Sequence, residues 1–142
     1  MKWLVDTCIL IDLLQGDHDF ATCSADALDA KRDEGLQISP VTFVELAPSF
    51  NGNIVAQNEF LRGLEITCLF HGNQFMLAAA HRAWHEQILR KHAGTSPKRP
   101  VADVLIGAHA LMVGGLITRN ESDFRALYPN LKILNPLQSE AL

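Results

Sequence analysis

Four acidic residues in this chain are of a type and spacing that could do chemistry: Asp6 in KWLVDTCIL, Glu45 in SPVTFVEL, Asp103 in VADVLIGAHAL and Asp123 in TRNESDF. Three of them are embedded in apolar sequence, where an unpaired charge is expensive. Each has an ordinary structural reading. Asp6 or Thr7 can cap the helix that follows, Asp103 can complement a helix dipole, Glu45 can pair with a base, and Asp123 can cap a short helix. All four, however, map to one end of one sheet, with no matching set of buried bases. They read as a single site. Four carboxylates in one pocket repel one another and take up protons unless a cation offsets their charge. A hard, all-oxygen set favours magnesium, with manganese as a substitute, over zinc. Such an ion orients and acidifies a water and stabilises a leaving oxygen, which is the chemistry of phosphodiester hydrolysis.

The elements that must position these acids can be read from the pattern of apolar residues. Strand-like pieces fall at 2–5, 36–39, 65–70, 115–118 and 131–134. Helical stretches fall at 8–15, 20–34, 41–50, 53–63, 74–93, 101–113 and 121–127. Gly35 closes the second helix, Ser39-Pro40 suits a cap followed by Pro at the first helical position, and Gly114-Gly115 ends the 101–113 helix. Strands alternating with helices indicate an α/β fold with a mainly parallel sheet covered on both faces. Ligand sites of such sheets lie at the C-terminal ends of the strands, where Asp6 and Asp123 fall.

The 142 residues read as one domain over 1–142, long enough to bury a real core. With 48% hydrophobic and 20% charged residues, the composition is that of a globular protein and excludes a disordered chain. No apolar run is long enough for a bilayer span and no secretory signal is visible, so a cytoplasmic location is expected, with no membrane partner. Three unpatterned cysteines, Cys8, Cys23 and Cys68, suit reduced core residues. The net charge of −4 argues against a broad basic nucleic-acid surface but allows a metal-loaded cleft.

The four motifs VDTCILIDLL, ISPVTFVEL, VADVLIGAHAL and LITRNESDF, in this order, resemble those of the PIN-domain ribonucleases, especially VapC-like toxins of bacterial toxin–antitoxin pairs. The resemblance runs from Lys2 to about Pro136. It implies a three-layer fold whose five-stranded parallel sheet has the order 3-2-1-4-5. It also implies that Asp6, Glu45, Asp103 and Asp123 form a catalytic, metal-binding quartet. Thr118 and Asn120 match polar supporting positions, and Thr7 is a third supporting residue, beside Asp6. Many relatives have Pro where this chain has Ala102, and some carry an acid in place of Asn120. The family's partners are RNA, a cognate antitoxin and a second copy of the chain.

The densest basic patch, Arg90 to Arg99, immediately precedes Asp103, so Lys98 and Arg99 are candidate phosphate contacts together with Arg119. Arg62 and Arg82 come next. His81 and His85 have the i, i+4 spacing of zinc ligands but lack a general-base Glu between them and a third ligand, and read as an exposed or partly packed helix face. His109 reads as packed beside the core or near the cleft rim. The expected activity is magnesium-dependent cleavage of single-stranded or looped RNA. Two alternatives stay open: a phospho-aspartate receiver or phosphohydrolase, disfavoured by Arg119 where a Lys is needed, and a PIN module that binds RNA without turnover.

Overall fold

The computed structural model describes residues 1–68, 81, 85, 89 and 100–141. Five strands, β1 (Lys2–Val5), β2 (Leu36–Gln37), β3 (Ile66–Thr67), β4 (Gly114–Ile117) and β5 (Ile133–Leu134), form one sheet in the order β3-β2-β1-β4-β5. Every pairing is parallel. The helices are α1 (Thr7–Gln15), α2 (Ala21–Lys31), α3 (Pro40–Glu45), α4 (Ile54–Gly63), α5 (Pro100–Val113) and α6 (Glu121–Leu127).

Alternation along β1 decides which layer each side chain enters. Trp3 and Val5 pack with Ile9, Leu10, Leu28 and Leu36 on one face of the sheet. Leu4 packs with Ile106, Ala110, Leu116 and Phe124 on the other. Both faces are therefore covered, as the near-continuous apolar character of β1 and β4 requires. Gly114 begins β4 directly after α5, at φ +145°, and a Cβ there would lie 2.8 Å from the Lys2 carbonyl oxygen. Only glycine lets the chain turn this tightly against β1.

The elements follow the expected order, with boundaries that differ for local reasons. The stretch at 36–39 forms a two-residue strand because Ser39 leaves the sheet to cap α3, its side chain accepting from the Val41 N–H at 3.0 Å. At 65–70 the strand starts one residue late, because Glu65 has a left-handed φ of 59°. Residues 69 and 70 lie outside the described set. The helix expected over 41–50 breaks after Glu45 and resumes as a 3-10 turn over Ala47–Phe50. Pro48 causes the break, since it has no N–H to donate and its ring crowds the preceding turn. A 3-10 turn over Pro136–Ala141 was not anticipated from the sequence. Most of the helix expected over 74–93 lies outside the described residues, although His81, His85 and Leu89 are helical. Among the described residues no helix is long and apolar enough to cross a membrane.

Candidate active site

The parallel register brings Asp6 and Thr118 together. Val5 pairs with Ile117, so the residues that follow β1 and β4 leave the sheet side by side. The Asp6 N–H donates to the Ile117 carbonyl at 2.9 Å, and the Thr118 hydroxyl donates to Asp6 Oδ2 at 2.6 Å. Asp6 also caps α1, its Oδ1 accepting from the Thr7 N–H at 2.8 Å. The capping and site readings are thus both true of one carboxylate, which is only 4% exposed.

Glu45 ends α3, and its Oε1 accepts from the Thr7 hydroxyl at 2.8 Å. Thr42, buried on the same helix, lies 3.0 Å from that hydroxyl. Asp103 occupies the first turn of α5. Asp6, Thr7, Glu45, Asp103, Arg119 and Asn120 all line one cleft of about 310 Å³, together with Cys8, Asp12 and Asp17. Thr118 is fully buried behind Asp6.

Burial pushes the Asp6 carboxyl up to about 6, and the charge of Asp103 adds to the rise. The hydrogen bonds from Thr118 and Thr7 oppose it without reversing it. An acid raised by burial despite three donors lies where a cation would be welcome. Cys8 is held up to about 12, by burial first and Asp6 second, so its thiol stays protonated and is no nucleophile at neutral pH.

The remaining expected site residues are placed differently. Asp123 is exposed in the first turn of α6 and is not part of the cleft lining, so the structure brings together three of the four expected acids. Arg119 stands on the cleft wall with its guanidinium forked onto Asp12, Nε to Oδ2 at 2.7 Å and Nη2 to Oδ1 at 2.9 Å. Lys98, Arg99 and Arg82 lie outside the described residues. Arg62 lines a separate groove beside β3. His81 is not on an exposed helix face: it is 1% exposed, with Nε2 at 2.7 Å from Gln57 Oε1, and burial lowers its pKa. His109 is half-buried, as expected, and burial lowers its pKa too.

Asp12 was missed in the sequence although it carried a usable signal. It is an acid inside the apolar run ILIDLL and is 3% exposed, but it lies within a helix rather than at a strand end.

The donor chemistry of the cleft suits a hard divalent cation. Its candidate ligands are carboxylate oxygens, and the Cys8 thiol beside them is protonated. Three donors take three of the roughly four lone-pair positions of Asp6. As placed, no group of three His, Cys, Asp or Glu among the described residues stands at metal-binding spacing.

The chain is thus a parallel five-stranded α/β domain with acids gathered at the carboxyl edge of its sheet. A family model, the PIN domain, matches residues 3–128, and the chain belongs to that family. Its members are generally nucleases and typically use divalent metal ions. Neither the curated proteins nor the solved structures include a significant match to the chain.

Proposed function

We propose that this PIN domain is a magnesium-dependent endoribonuclease that hydrolyses single-stranded or looped RNA, and that it is the toxin of a toxin–antitoxin pair. The observation that carries the catalytic reading is the meeting of Asp6, Glu45 and Asp103 in one cleft, with Asp6 buried and raised to about 6. Asp6, Glu45 and Asp103 would hold the cation, with Asn120 on the rim of the cleft. When bound, the cation neutralises the crowded acids, orients and acidifies a water, and stabilises the departing oxygen.

The chain's own groups then have separate tasks. Thr118 and the Thr7 N–H hold the Asp6 carboxylate in one orientation, so its remaining lone-pair position points in a defined direction. Thr7 does the same for Glu45 through its hydroxyl. Such prepositioning contributes to rate because little reorganisation is needed during reaction. Lys98 and Arg99, immediately before α5, would hold phosphates of the RNA strand, which an acidic cleft otherwise repels.

The toxin role, a cognate antitoxin, a homodimer and a cytoplasmic location rest on the motif resemblance. Expression without the antitoxin is expected to arrest growth, and Asp103→Asn to relieve the arrest. Equal toxicity of the two would remove the toxin reading. Calorimetric titration with manganese tests the site itself: wild type should bind, and Asp103→Asn should bind at least tenfold more weakly. Identical isotherms would place the metal elsewhere.

A further inference from the structure

Among the described residues, Asp12 and Arg119 form the best-partnered charged pair outside the proposed ligands. Asp12 sits on α1, six residues after Asp6, and is 3% exposed. It accepts both arms of the Arg119 fork and a third bond, from the Ser24 hydroxyl of α2, at 3.0 Å. The Arg119 guanidinium lies 3.9 Å over the Phe20 ring. A two-pronged bond and a stacked face fix the planar guanidinium in place and orientation.

Arg119 is the middle residue of the turn Thr118-Arg119-Asn120, which joins β4 to α6. Within that turn the Asn120 N–H donates to Thr118 Oγ1 at 3.0 Å. The same oxygen donates its proton to Asp6 at 2.6 Å. The Asn120 amide thereby occupies an acceptor position of the hydroxyl and leaves its proton directed at Asp6. Both ends of this chain of bonds return to α1, through Asp6 at its cap and Asp12 two turns later.

We propose that Asp12 and Arg119 are positioning residues: their ion pair ties α1 to the 118–120 turn and so holds Thr118, braced by the Asn120 N–H, against the Asp6 carboxylate. Arg119 acts on the site through Asn120 and Thr118, and its guanidinium is directed at Asp12 rather than at a phosphate. This inference rests on the nuclease reading of the cleft, but its first test does not require cleavage.

The test compares Asp12→Asn, Arg119→Gln and the double substitution, with Ser24→Ala as a milder variant that removes one bond to Asp12. In metal-free protein, hydrogen exchange of the 118–120 amides should accelerate about tenfold in both single variants, and less in Ser24→Ala, while exchange in β2 is unchanged. For cleavage of a single-stranded RNA, kcat should fall at least tenfold in each single variant. The double substitution should cost no more than either one, since both break the same link. RNA affinity and its salt dependence should stay as in wild type.

A phosphate-binding Arg119 predicts the reverse. Arg119→Gln would weaken RNA binding and flatten its salt slope by roughly 0.7, whereas Asp12→Asn would release the guanidinium and leave binding equal or stronger. That pattern overturns the proposal. So does unchanged exchange at 118–120, whatever happens to activity. If Asp12→Asn does not fold, Arg119→Lys and Ser24→Ala decide by the same measurements, because each weakens the link without leaving a buried charge alone. Faster exchange in the variants, where the wild type itself cleaves no RNA, would sustain the tether and remove the nuclease reading.

Discussion

Replacing Asp6 by Asn should stabilise the metal-free protein at neutral pH and do little at acid pH. Asp6 titrates at about 6 in the folded chain against an ordinary 3.8. Its pKa is raised, so the folded state binds a proton more tightly than the unfolded state does. The associated stability is fully present below pH 3.8 and is lost as pH rises through 6. The difference corresponds to on the order of 3 kcal/mol that the ionised carboxylate costs at pH 7.5. Asn removes that cost but forfeits an acceptor opposite the Thr118 hydroxyl, a loss of roughly 1 kcal/mol. A net gain of roughly 1–2 kcal/mol is therefore expected at pH 7.5, and little change at pH 4.5, where the ionisation cost has fallen to about 1 kcal/mol and only offsets the lost bond. Urea unfolding followed by tryptophan fluorescence, with chelator present, measures both. The dependence of the gain on pH is the informative feature. Equal effects of the substitution at the two pH values would refute the electrostatic account of Asp6.

The site and the fold carry further expectations. Glu45→Gln should lower the cleavage rate at least a hundredfold with a melting temperature within a few degrees of wild type; a rate within a factor of three would remove Glu45 from the metal site. Gly107→Ala should cost roughly 1–3 kcal/mol, because an added methyl would collide with the Tyr128 ring, and thermal melting would show it. Changing Lys98 and Arg99 together to Ala should weaken RNA binding and reduce its salt slope by roughly 0.7 per lost phosphate contact. Manganese affinity should stay unchanged there, and an unaltered slope would mean the phosphates are held elsewhere.

The sheet and the cleft that gathers Asp6, Glu45 and Asp103 were legible because they depend on short-range patterns. The apolar runs of β1 and β4, the Ser39-Pro40 start of α3 and the Gly114 turn each carry a local signal that the folded chain obeys. The β order was implied by the motif resemblance, not by periodicity, and the structure has that order. The break of α3 at Pro48 was equally local and could have been read from the ring alone. What the sequence concealed was pairing across distance. Asp12 and Arg119 are 107 residues apart, and nothing in either neighbourhood announces the other. Arg119 therefore read as a free cation next to a site. The full burial of His81 was hidden in the same way, because its partner, Gln57, lies on α4, 24 residues away. Asp123 matched the quartet by position in the chain, yet the short α6 leaves it on the exposed side of its first turn.

The most direct test of the central claim is the cleavage rate of an end-labelled single-stranded RNA across a magnesium titration, measured for wild type and for Asp6→Asn prepared identically. A cleft in which Asp6, Glu45 and Asp103 hold the cation predicts internal cuts by the wild type that rise with magnesium, vanish with chelator, and are absent at every concentration in the variant. Cleavage by wild type that persists in chelator, or equal rates in the two proteins at saturating magnesium, would contradict it.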